Sequence, residues 1–201
     1  MQKLGVNPWL SIWSSPRMTI RALIEGRQDK NFYILAGLTG LQAFLFFYGY
    51  YAVFSAANFL VFLLIALFFA PILGTFWFYF CAYLLHVTGR WLNGLASCRQ
   101  LRLVFAWSKV PLLIDLFTWL IVLTFVSEYF AAPSLNGAAF FFFNLIFAIS
   151  KIWSLVILIQ GIREVQNFSI LQAIANTAIA YVLFVACVFI VVYFVGLVIH
   201  L

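Results

Sequence analysis

The chain has 201 residues, 67% of them hydrophobic and only 8% charged, with a net charge of +6, where ordinary soluble domains run near ~45–50% apolar and ~25% charged. So little polar surface cannot cover so much apolar side chain, which excludes a soluble fold and leaves an all-α, polytopic membrane protein. The positive charge borders apolar runs, so anionic lipid headgroups are the expected contacts and nucleic acid is not.

The amino-terminal arm, residues 1–31, holds two segments that each begin with a polar residue and a proline, Asn7-Pro8 and Ser15-Pro16. Pro at the first helical position after such a cap marks a helix start, which predicts short helices over 8–13 and 16–25, the second stopped by Gly26. Trp9, Leu10, Ile12, Trp13, Ile20, Leu23 and Ile24 alternate with Arg17, Arg21 and Arg27. That pattern predicts helices lying flat on the membrane surface, tryptophans at headgroup level and arginines toward anionic lipid. The alternative is packing on the protein's own loops.

Five apolar runs follow as one domain over 32–201: 32–53, 58–85, 110–130, 138–159 and 174–199. Each supplies the ~20 apolar residues that a ~30 Å hydrocarbon core requires. The second is too long for an upright crossing, and Pro71 with Gly74 near its middle predicts a kink or strong tilt. Of the 11 Lys and Arg, Lys3, Arg17, Arg21, Arg27, Lys30, Arg90, Arg99, Arg102, Lys109 and Arg163 fall on one side of such a bundle, and Lys151 lies within a span. The opposite connections, 54–57 and 127–137, contain none. Cations are retained on the cytoplasmic side, so the amino terminus is expected inside and the carboxy terminus outside.

The basic side carries structure of its own. Asn93-Gly94 is a turn signal, and over 97–107 Leu101, Val104 and Phe105 recur against Arg99, Gln100 and Arg102, predicting a short amphipathic interfacial helix between spans two and three. Ser169 with Gln172 three positions on is a capping-box pattern that starts the fifth span. Trp9, Trp13, Arg17, Arg21, Arg90, Trp91, Arg99, Arg102 and Trp107 are therefore the candidate cytoplasmic interface.

Inside the spans, Asp115 and Lys151 stand out because an intramembrane charge is costly and ordinarily partnered. At 1.5 Å per residue they lie roughly 9 Å and 13 Å deep from the same side, so they could bridge spans three and four. Such a pair reads as a structural bridge or as the centre of a polar site walled by Thr118, Asn144, Ser150 and Ser154. His86 and Arg90 share a helix face as a boundary pair. Cys81, Cys98 and Cys187 are widely spaced, so neither a disulfide framework nor a metal site is expected. No Ser/His/Asp arrangement or H-E-x-x-H motif is present, and no catalytic residue or cofactor is assigned.

Asn7-Pro8-Trp9, Ile12-Trp13, Pro16-Arg17 and Thr19-Ile20-Arg21 resemble the opening of bacterial members of the Yip-type membrane protein family. Gly89-Arg90-Trp91-Leu92-Asn93-Gly94-Leu95-Ala96, continuing through Leu101-Arg102 and Ala106-Trp107-Ser108 to Val110-Pro111, resembles its central signature. Trp153, Gly161-Ile162, Val165, Phe168-Ser169 and Ala173 resemble its later segment. Asn93 stands where the family's pattern has the second glycine of a pair. The resemblance implies a five-helix membrane domain; eukaryotic relatives bind Ypt/Rab GTPases and pair with one another. The expected function is a non-enzymatic scaffold or adaptor of the bacterial inner membrane, touching lipid, a second copy of the chain or a partner protein. The rival is a transporter or channel for ions, small molecules or lipid built on Asp115 and Lys151.

Overall fold

The computed structural model describes residues 7–26, 30–52, 59–125 and 137–199, and all its regular elements are helices. In chain order they are α1 (Pro8–Ser14), α2 (Pro16–Glu25), α3 (Lys30–Ala52), α4 (Phe59–Trp91), α5 (Cys98–Ser108), α6 (Leu112–Phe125), α7 (Gly137–Gln166) and α8 (Ile170–Ile199). The cation-free connections 54–57 and 127–136, and the termini with Lys3 and His200, lie outside the described residues.

Four helices, α3, α4, α7 and α8, are long and apolar enough to cross a membrane, and α5 with α6 makes a fifth crossing if the bent pair is counted as one. The pair bends by 41°. Pro111 lies at the break; lacking an N–H and clashing with the preceding turn, it ends α5 and lets α6 restart at Leu112. Counted so, that crossing begins with the amphipathic stretch over 97–107, ahead of the apolar run at 110.

α4 runs unbroken through Pro71 for 33 residues, about 50 Å, so the proline does not divide it. Its small residues serve packing instead. A Cβ on Gly40 would overlap the Ala70 carbonyl, and one on Gly74 would overlap that of Ala36. Ala36 with Gly40 and Ala70 with Gly74 form two small-xxx-small steps that bring the α3 and α4 backbones into contact, the device by which membrane helices gain van der Waals packing where lipid supplies no hydrophobic drive. α6 fits against α3 and α7, whereas α8 leans mainly on α4 and α7. Thr88 of α4 donates a buried hydrogen bond of 2.5 Å to Asn176 of α8.

Packing is concentrated at one end. Ile12, Ile20, Leu35, Phe78, Leu101, Val104, Trp107, Ile157 and Ile162, drawn from six helices, form a continuous core. Toward the other end, the second cluster comprises Leu45, Leu116 and Trp119.

Candidate functional site

The arm helices sit where the proline signals place them. Asn7 accepts the backbone N–H of Trp9 at 3.1 Å, a side-chain N-cap. What they lie on differs from the membrane-surface expectation. Ile12 and Ile20 are fully buried and Leu23 nearly so, with Trp13 packed against the same core. Trp9 meets Trp107 of α5 at a ring separation of 5.1 Å. Most of the arm's apolar residues are therefore covered by protein, with Leu10 and Met18 left exposed.

Arg17 and Arg21, expected to face lipid phosphates, both grip one carboxylate. Arg17 holds Glu164 Oε2 through Nε (3.0 Å) and Nη2 (2.9 Å), and Arg21 holds Oε1 through Nε at 2.6 Å and through Nη2. The two arginines stand four apart on α2, so they share a helix face and take one oxygen each. Glu164 is nearly buried while both guanidiniums remain half-exposed. The clamp ties the arm to the end of α7.

Between α4 and α5 the chain turns through residues 92–97. Asn93 adopts φ 61°, and Gly94 N–H bonds back to the Gly89 carbonyl at 2.7 Å, closing a left-handed helix end. Asn tolerates that conformation better than any other residue bearing a Cβ, which is why it can stand in the place of a glycine. α7 ends the same way, with Asn167 at φ 57° and Phe168 N–H on the Arg163 carbonyl. Gln166, 2% exposed, enters the turn from α7 and accepts the Ala96 N–H at 3.1 Å. A Cβ on either Gly89 or Gly94 would collide with the Gln166 side chain. His86 Nδ1 lies 3.1 Å from the Ala96 carbonyl, to which it donates, so His86 supports the turn rather than pairing with Arg90. This buttressed turn presents Arg90, Trp91 and Leu95 outward, Trp91 at 61% and Leu95 at 72% exposure.

α5 opens with a complete capping box, Ser97 with Gln100. Every residue from Leu103 to Ser108 is buried, as is Leu101. Arg102 lies over the Tyr79 ring at 4.4 Å, a cation–π contact. With Arg99, Tyr33 and Phe32 it lines a small cavity of about 90 Å³. Six of the nine candidate interface residues, Trp9, Trp13, Arg17, Arg21, Arg102 and Trp107, thus make contacts within the protein, whereas Arg90, Trp91 and Arg99 are exposed.

Asp115 and Lys151 do not close an ion pair. Asp115 is 1% exposed, and neither carboxylate oxygen makes a hydrogen bond, although Ser150 and Lys151 are its polar neighbours. Lys151 is exposed on α7, its ammonium 5.7 Å from the Phe46 ring centre. The side chains diverge because Lys151 points off the face that carries Ser150 and Ser154, both buried. Among the described residues no group of His, Cys, Asp and Glu could hold a metal ion, and the three cysteines are free.

Sequence reasoning passed over Glu164 and Gln166 and placed Lys109 with the cytoplasmic cations. Glu164 could have been flagged as one of only five acidic residues, set at a span end facing an excess of arginines. Gln166 gives no such signal.

These helices, spans and buried polar contacts define an all-α multi-pass membrane protein with a protein-packed layer at its basic end. The profile of the Yip1 domain matches residues 10–194, beginning inside the arm. The chain belongs to the Yip1 family. No curated protein and no solved structure matches it.

Proposed function

We propose that the chain is a non-enzymatic scaffold or adaptor of the bacterial inner membrane, its basic end cytoplasmic and in contact with lipid headgroups and partner proteins or a second copy. The observation that carries this reading is the turn over 89–96. It is braced by Gln166, His86 and a left-handed Asn93, yet what it displays outward is Arg90, Trp91 and Leu95. A rigid mount for an exposed tryptophan beside a cation suits recognition, where ordering costs are met before binding. Aromatic and arginine side chains are also the types that dominate binding energy in protein interfaces.

The test is site-specific photo-crosslinking in cells. A crosslinker at Leu95 should give a discrete protein adduct that Arg90→Glu with Arg99→Glu abolishes, whereas one at Phe189 of α8 should give none. Equal adducts at both positions would overturn the reading. The transport rival relies on Asp115 and Lys151 acting together. It would be favoured if Asp115→Asn abolished a measured flux while leaving the Leu95 adduct intact.

A further inference from the structure

Lys109 is placed by sequence among the rim cations, yet it sits at the α5–α6 break, half-buried inside the bundle. Its ammonium lies 4.5 Å from the centre of the Phe105 ring, and among the described residues no carboxylate reaches it. Two apolar chambers meet at this residue. The larger, about 780 Å³, is bounded by Thr39, Ala43, Phe47, Leu73 and Leu112. The smaller, about 280 Å³, is bounded by Cys81, Leu84, Leu155 and Tyr181. Trp77 and Phe184, in edge contact at 4.8 Å, stand with Lys109 in the wall of both.

A cation inside a membrane bundle is ordinarily partnered. Here the described residues provide an aromatic face and no acid. The Thr39 hydroxyl of the larger chamber is likewise buried without a hydrogen-bond partner. The remainder of both walls is apolar apart from Gln42 in the larger and Thr177 and Tyr181 in the smaller, so the missing partner should be anionic at one point and largely hydrocarbon elsewhere. Two chambers flanking one cation match two tails flanking one phosphate. Basic pockets between membrane helices are suited to anionic headgroups.

We propose that Lys109 and the two chambers form a single site for one diacyl phospholipid with an anionic headgroup, the phosphate against Lys109 and one acyl chain in each chamber. This site is separate from the surface turn over 89–96, so its failure would leave the adaptor reading standing.

The full chain, purified in detergent and delipidated, is to be titrated with phosphatidylglycerol, with phosphatidylcholine of the same chains, or with oleate, and bound lipid counted by native mass spectrometry. One phosphatidylglycerol per chain is expected, held at least tenfold more tightly than phosphatidylcholine. Lys109→Met should remove that preference and Lys109→Arg keep it. Ala43→Trp, at an exposed wall position, should weaken phosphatidylglycerol at least tenfold with the cation intact, and Arg99→Gln should change nothing. Equal retention of the two phospholipids, displacement by equimolar oleate, or unaltered binding in both Lys109→Met and Ala43→Trp would overturn the proposal.

Discussion

At the basic end, Ile12, Ile20, Leu101, Val104, Trp107 and Ile162 are sealed on every side, whereas α8 leaves Phe189, Val191, Val192, Tyr193 and Phe194 more than half exposed. Both regions are apolar in sequence. The difference lies in what surrounds them. Where helices emerge toward water, apolar side chains need protein cover, and α1, α2 and α5 supply it. Within hydrocarbon an exposed phenylalanine costs nothing, and association depends on close backbone contact and a few polar bonds. The chain therefore has a dense, globular-like layer joined to a bundle held by Ala36, Gly40, Ala70 and Gly74 and by the Thr88–Asn176 bond.

That contrast can be attacked from either region. Gly40→Val should be the most damaging change, because its side chain would meet the Ala70 backbone rather than a movable side chain. A loss of about 3 kcal/mol or more is expected, read as failure to retain a monodisperse fold in detergent. Ile162→Ala, in the sealed layer, should cost about 3 kcal/mol in reversible unfolding. Glu164→Gln removes the shared partner of Arg17 and Arg21, and since both guanidiniums are half-exposed the cost should be only about 1 kcal/mol; raised salt should shrink it further. Asp115→Asn should be neutral or mildly stabilising, because a buried carboxyl without a hydrogen bond gains little from keeping its charge. A clear loss of stability would show that Asp115 has a partner the static structure does not join. Phe189→Ala should fall within about 0.5 kcal/mol, and a cost equal to that of Ile162→Ala would erase the distinction between the two regions.

Much of this architecture is legible in the sequence, for physical reasons that differ by element. Pro8, Pro16 and the Ser169–Gln172 capping box mark helix starts because they act through their own backbone, and run length reports spans because the bilayer fixes it. The helix over 97–107 escapes that logic. Arg99 and Arg102 make 97–107 look like a surface helix, but Arg102 is accommodated by Tyr79 and the helix sinks into protein. The same holds for the arm, whose tryptophans and arginines have one pattern whether the cover is lipid or protein. Composition cannot tell a phosphate from Glu164 as the partner of Arg17. Lys109 stands beside the rim cations in sequence, which conceals its place at the α5–α6 break, and Lys151 lies off the face of α7 that carries Ser150 and Ser154.

Hydrogen–deuterium exchange of the full chain in nanodiscs tests most directly whether the arm belongs to the protein. Amides over 12–24 should exchange as slowly as those of α5, in zwitterionic and anionic bilayers alike, and should speed up in Glu164→Gln. Protection of the arm that arises only in anionic bilayers, indifferent to Glu164, would contradict the account and return the arm to the lipid surface.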